Sequence, residues 1–245
     1  LVKSVCISTH YNLIVLIFIE KKAIFLVFKP IGIFLHFYYS NFLSGKSMKK
    51  AEKTKRLIIE KSAQLFNLKG YVGTSMQNIA EVAGVTKGSI YGNFKSKDEI
   101  AGAAFEYNVQ LLFRELWESM DAETSAKAKL KAYCDFHHEN YKQILEYGGC
   151  PILNCAIDTD DTHEKLNKKV ARTLQNWEQS LANIIQLGKE QQEFKKDVDA
   201  TYFAGLIISL VEGNIMLAKT HKNDSYIING LQHIEQLIQS LYINH

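Results

Sequence analysis

The chain has 245 residues, 47% of them hydrophobic, with two prolines and a formal charge of +3. That composition excludes a disordered chain and suits one large or two modest helical domains. Its four cysteines follow no zinc-ligand spacing and no secretory signal precedes them, so a reducing cytoplasm is the expected compartment.

The net charge hides an asymmetry. Met48 to Lys97 carries ten Lys or Arg against three Glu, whereas Asp98 to the end carries fourteen against twenty-two acidic residues. A compact basic module followed by an acidic body points to a polyanion partner for the module alone.

Residues 1–47 differ from both parts. The runs LIVLIFI (13–19) and IGIFLHFYY (31–39) are apolar, but Glu20, Lys21, Lys22 and Lys29-Pro30 interrupt them. They fall short of the roughly 20 apolar residues of a membrane-spanning helix. The segment has no amphipathic period, and its Phe, Ile, Lys, Asn, Tyr and Leu are what AT-rich DNA encodes when translated without selection. The first methionine is Met48. Residues 1–47 are therefore expected to be a non-native upstream extension, with a membrane anchor as the alternative. The expected domains are 48–97 and 98–245.

From Lys53 the pattern turns helical, with Ile58, Ser62, Leu65 and Phe66 at helical spacing and Gly70 as the stop. Thr74-Ser75-Met76-Gln77 reads as a capping box in which Thr74 and Gln77 hold the first amides of a second helix. That helix buries Ile79, Ala80, Val82 and Ala83 and closes at Gly84, a position suited to positive φ. Thr86 caps a third helix, Lys87 to Asn93, and Ser96-Lys97-Asp98-Glu99 opens a fourth.

Two short helices around a Gly-containing turn form a helix-turn-helix, whose second helix enters a major groove. Gly88 costs about 1 kcal/mol in helix propensity, so a close approach to a partner or to the second helix must offset it. Ser89 is sized to reach a base edge, while Lys87, Tyr91, Lys95 and Lys97 offer donors to phosphates. Ile90 and Phe94 point the other way, into a three-helix core.

The run TSMQNIAEVAGVTKGSIYGNFKSKDEI resembles the DNA-binding signature of TetR-family (TetR/AcrR) transcriptional regulators. The matching elements are the Leu65-Phe66 and Gly70-Tyr71 ends of the first helix, Thr74, Ile79-Ala80, Ala83-Gly84-Val85, Gly88, Tyr91, Phe94 and Lys97. The resemblance implies that Thr86 and Tyr91 contact phosphates, that Lys87 and Ser89 reach bases or backbone, and that Lys97 anchors a phosphate. The DNA-binding set is then Thr74, Thr86, Lys87, Gly88, Ser89, Tyr91, Asn93 and Lys97. Gly92 and Asn93 depart from the family pattern, which leaves base readout open there.

Beyond Lys97 the chain reads as amphipathic helices near 97–120, 125–147, 152–157, 162–192, 200–219 and 226–243. The expected class is all-α: a helix-turn-helix domain plus a larger helical domain for ligand binding and dimerisation. The resemblance implies that the middle helices enclose an effector pocket and that the last two pair in a homodimer.

Aromatic and polar residues on the middle helices are the pocket candidates: Tyr107, Phe113, Trp117, Tyr133, Phe136, His137, Tyr141, Cys150 and Trp177. The stretch 201–218 is apolar nearly all round, so Phe203, Leu206, Leu210 and Ile215, with Leu231, Ile234 and Ile238, are the interface candidates. The expected partners are double-stranded DNA with a pseudo-palindromic operator, a partly apolar effector and a second copy of the chain.

Two other readings stay open. His137-His138 with the Asp158–His163 stretch is a loose metal or enzymatic grouping, although Asp158, Asp160 and Asp161 are also natural helix caps. Cys150 stands at a helix N-terminus, which lowers a thiol's pKa and suits a redox or electrophile sensor. No nucleophile–base arrangement or phosphate loop is legible, and no cofactor or metal is expected.

Overall fold

The computed structural model describes residues 50–243 in full and residues 3–9, 12–19 and 22–28 as backbone. The chain divides into two compact units, Leu1–Met48 and Lys49–His245. In the first, β1 (Lys3–Thr9), β2 (Asn12–Ile19) and β3 (Lys22–Phe28) form an antiparallel sheet in the order β1-β2-β3. Thr9 pairs with Asn12 and Ile19 with Lys22 at the ends of the two ladders. The β-branched and aromatic residues of these apolar runs are those that favour strands. The run 31–39 and the start at Met48 lie outside the described residues.

The second unit is all-α. Its helices are α1 (Lys50–Lys69), α2 (Met76–Ala83), α3 (Lys87–Tyr91), α4 (Lys97–Asp121), α5 (Ala126–Glu146), α6 (Pro151–Thr159), α7 (Glu164–Glu190), α8 (Ala200–His221) and α9 (Ser225–Ser240). A small core of Ile58, Ile79, Ala80, Ala83, Ile90, Phe94 and Ile100 joins α1, α2, α3 and the start of α4. A larger core runs through α4 to α9. Helix α4 belongs to both and packs on α1 as well as on α5.

Local signals explain where most helices begin. The side-chain oxygens of Ser96, Ser125 and Asp199 accept from the backbone N–H groups of Glu99, Ala128 and Tyr202 and so cap α4, α5 and α8. Two caps differ from the sequence reading. The box that opens α2 is Ser75 with Asn78, not Thr74 with Gln77, and Gln77 instead donates to Glu81 at 2.7 Å. Helix α7 is capped by His163, whose Nδ1 accepts from the Leu166 N–H at 3.2 Å, rather than by an aspartate.

One close contact late in α7 sets a stability test. A β-carbon on Gly188 would lie 2.2 Å from Cδ2 of Phe194, whose ring is fully buried and stacked on Tyr242 at 5.7 Å. The ring has nowhere to retreat. Gly188→Ala is therefore expected to cost about 2 kcal/mol by overpacking, against the small gain that alanine brings to an exposed helix. Urea unfolding measures it, and a variant as stable as the parent would refute the fixed-ring account.

Candidate functional site

Helix α3 carries the basic face. Thr86 is extended (φ −75°, ψ 153°) and its Oγ1 accepts from the Ser89 N–H at 3.1 Å, which starts the helix. Lys87, Gly88 and Tyr91 then face solvent and Ser89 is half-buried, while Ile90 and Phe94 are buried in the small core. Tyr91 leaves 59% of its surface exposed. A β-carbon on Gly88 would meet only Thr86 Oγ1, at 3.8 Å, so the chain's own packing does not require a glycine there. Among the described residues no close approach, to α2 or elsewhere, accounts for Gly88.

Three of the expected DNA contacts are placed elsewhere. Thr74 is buried and its hydroxyl donates to the Gly70 carbonyl at 2.7 Å. Asn93 spends its side-chain amide on the Ser89 carbonyl, also at 2.7 Å. Lys97 donates to the carbonyls of Tyr71 (2.9 Å) and Thr74 (3.1 Å), with its ammonium 4.0 Å from the Tyr71 ring centre. It pins the α1–α2 turn instead of standing out toward a phosphate.

Tyr71 ties this turn to the body. Its N–H donates to the Asp158 carboxylate at the end of α6, and its hydroxyl donates to Asp98. Burial and the Asp98 carboxylate push its phenol up to about 12, and the Tyr71 hydrogen bond in turn holds the Asp98 carboxyl below its ordinary value. Asp98 also meets His163 Nε2 at 3.4 Å. One turn earlier in α1, buried Asn67 donates to the carbonyls of Tyr147 (2.9 Å) and Gly149 (3.1 Å). The Asn154 amide on α6 donates back to Asn67 Oδ1 at 2.9 Å. Sequence reasoning missed Asn67 and Asn154.

The other end of α6 meets a cavity. Leu112, Phe113, Leu116, His137, Cys150, Trp177 and Glu212 are among its walls, so every helix from α4 to α8 contributes or abuts it. Its free space, about 10 Å³, is about what one water needs. Phe113 and Trp177 meet edge to face at 5.3 Å. His137 Nδ1 lies 2.8 Å from the Tyr133 carbonyl, and burial lowers the imidazole's pKa to about 4. The ring is therefore neutral, with Nδ1–H donating and Nε2 free to accept.

Both oxygens of Glu212 are buried with no cation beside them among the described residues, the Cys150 thiol being a neighbour able to donate, and the buried Trp177 indole nitrogen and Tyr133 hydroxyl lie beside each other. Burial pushes the Glu212 carboxyl up to about 7, and the neighbouring Cys150 thiol offsets only part of that. Cys150 is itself fully buried, and burial together with the Glu212 carboxylate pushes its thiol well above the ordinary value. The expected activation by a helix N-terminus is overturned because desolvation and a like charge outweigh the helix amides.

The metal reading loses its groups in the same way. His137 bonds within α5, His138 meets Glu235 at 3.3 Å, Asp158 holds Tyr71, and His163 caps α7. Among the described residues no three His, Cys, Asp or Glu side chains converge as a metal set.

Comparison with known proteins accords with this geometry. Residues 58–104 match the family model of bacterial regulatory proteins, tetR family, and residues 126–234 match the tetracyclin repressor-like C-terminal domain. A TetR-family regulator from Cytophaga hutchinsonii is 36% identical in sequence, with a TM-score of 0.77 over 82% of this chain and 100% of that one. A TetR regulator from Chloroflexus aurantiacus is 30% identical, with a TM-score of 0.73 over 80% and 98%. The chain belongs to the TetR family.

It is a ligand-responsive, DNA-binding transcriptional regulator. A curated relative, the HTH-type transcriptional repressor DhaR of a Mycobacterium strain, is 26% identical over 68% of this chain and 82% of its own. Of the pocket residues expected from sequence, Phe113, His137, Cys150 and Trp177 line the cavity of this TetR chain. Tyr133 abuts it, while Tyr107, Trp117, Phe136 and Tyr141 do not line it. Of the interface residues, Ile215, Leu231, Ile234 and Ile238 lie in the chain's own core, at 3% exposure or less, and cannot meet a partner. Phe203, Leu206 and Leu210 are only partly buried.

Proposed function

We propose that the protein is a repressor that grips a pseudo-palindromic operator as a homodimer and lets go when a small effector opens the α4–α8 cavity. The observation that carries the DNA reading is the outer face of α3. There Thr86, Lys87, Ser89 and Tyr91 surround a glycine that no neighbour in the chain requires. Lys87 and Tyr91 suit phosphates and Ser89 a base edge; two such faces engage successive major grooves about 34 Å apart.

Helix α8 supports the homodimer. It is long and apolar enough to cross a membrane by composition, yet only about a third of that stretch is buried within the chain. Tyr202, Leu206, Ser209, Gly213 and Met216 share one side at helical spacing, and Tyr202 and Met216 are exposed. A β-carbon on Gly213 would meet nothing within 4 Å, so its small size also suits an approaching partner. This stripe replaces the four core residues as the interface.

Helix α6 is the strut between the two sites. Cys150 at its start walls the cavity, while Asn154 and Asp158 hold Asn67 and Tyr71 in the DNA module. An effector that parts the cavity walls favours a position of α6 that resets the module spacing, so release is a population shift.

Gly88→Ala tests the reading. The substitution should stabilise the folded chain by up to about 1 kcal/mol through helix propensity. It should weaken binding to DNA selected by the parent protein by about tenfold or more, the scale of one lost contact. Thermal unfolding and fluorescence anisotropy read the two effects separately. Unchanged DNA affinity would remove the α3 face from the groove.

A further inference from the structure

The cavity holds more polar atoms than its packing can satisfy. Glu212 is the one charged residue in the apolar run 201–218, and its buried carboxylate faces the cavity with the neutral Cys150 thiol beside it and no counter-charge in the wall. An isolated buried carboxylate is costly, and breaking even a paired one exposes that cost. The natural remedy is a lysine or arginine across the cavity, yet none is among the wall residues. The aromatic faces of Phe113 and Trp177 stand at the same cavity, and aromatic faces attract cations.

We infer that the effector is a lipophilic organic cation, an amine or quaternary ammonium compound whose positive head pairs with Glu212 while its apolar body lies between Phe113 and Trp177. This rests on the ligand-responsive reading of the cavity and names its ligand class. An anionic ligand would set two like charges together in a dry site. A neutral ligand would leave the carboxylate without a counter-charge. The free space is far smaller than such a molecule, so the cation has to part α4 and α7 from α8, and that movement reaches the start of α6.

Proton linkage adds a signature. The titratable groups facing Glu212 are Cys150 ahead of α6 and Tyr133 and His137 on α5. Burial raises the first two well above their ordinary values and keeps His137 neutral down to about 4. Glu212 alone changes charge near neutrality, from a carboxyl at about 7. A quaternary cation, which cannot titrate, therefore binds more tightly as pH rises through that value and expels a proton.

The experiment compares benzyltrimethylammonium and 2-phenylethylammonium with neutral 2-phenylethanol and anionic 3-phenylpropionate, by tryptophan fluorescence and calorimetry on the full chain. Both cations should bind about tenfold or more tightly than the neutral alcohol, a difference of ~1.4 kcal/mol. Glu212→Gln should erase that preference, the cation-to-alcohol affinity ratio within each protein being the readout. The quaternary cation's affinity should rise with pH in the parent and stay flat in the variant. Equal binding of cation and alcohol, a preference that survives Glu212→Gln, or no binding by either cation at millimolar concentration would each overturn the assignment. Release from DNA separates the two readings. An alcohol or anion that releases DNA refutes the ligand class and keeps the regulator. Tight cation binding without release keeps the class and refutes the cavity as the trigger.

Discussion

Replacing Glu212 by glutamine should stabilise the empty protein more at pH 8 than at pH 5, by about 2–3 kcal/mol. The folded carboxyl titrates at about 7 because burial disfavours its charge, against 4.5 for the ordinary group. A folded pKa raised above the unfolded one means that the native state holds its proton more tightly. Its contribution to stability is fully present below about pH 4.5 and is lost as pH rises through about 7. Above that, the parent carries an unpaired buried charge that glutamine lacks. The orphaned amide has its own cost, but that cost is the same at both pH values, so the difference between them is the readout. His137 works in the opposite sense. Its pKa is lowered by burial to about 4, so it removes stability as pH falls below about 6.5, equally in parent and variant. Urea unfolding at the two pH values measures the effect, and parallel shifts at both would mean that Glu212 already has a partner.

The second large effect is expected at Asn67. Asn67→Ala removes the donor from two carbonyls of the α5–α6 turn and takes one acceptor from the Asn154 amide, which keeps the Gly148 and Asn67 carbonyls, in a buried setting. Net hydrogen bonds of about 1 kcal/mol each, with desolvation of the groups left behind, add to a loss of about 2–4 kcal/mol. Because this junction connects the DNA module to the strut, unfolding should also lose its single cooperative step, with α1 exchanging its amides ahead of α8. Hydrogen exchange resolved by segment reads this directly. A loss below about 0.5 kcal/mol, with α1 and α8 still exchanging together, would show that Asn67 does not bear the connection.

The DNA module was the most legible part of the chain. Thr86 capping α3, Gly84 at φ 64° ending α2 and Gly70 at φ 71° after α1 stand where the spacing puts them. The division of α3 into a buried side with Ile90 and an open side with Lys87 and Tyr91 also follows from its period. The pocket was legible only in part. Aromatics on the middle helices drew attention to Phe113 and Trp177, but Glu212 was read past because its neighbours are apolar. A lone acid inside such a run was the available signal. At the dimer face the same run misled, since a helix apolar on all sides does not reveal which side its own chain covers.

What the sequence determined by itself is therefore local: caps, stops and the two faces of α3, each settled by interactions three or four residues apart. What tertiary structure decided is the direction and environment of single polar groups. Lys97 turns to carbonyls 23 and 26 residues away, Thr74 is sealed under its own turn, and the Cys150 thiol lies against a carboxylate from α8. The physical reason is the difference in range. Helix periodicity and capping act along the backbone, whereas desolvation and charge pairing depend on whichever distant segments meet at a point. Glu212 shows the second kind: its place in the chain suggests a helix, and only the meeting of five helices makes it an unpaired buried charge.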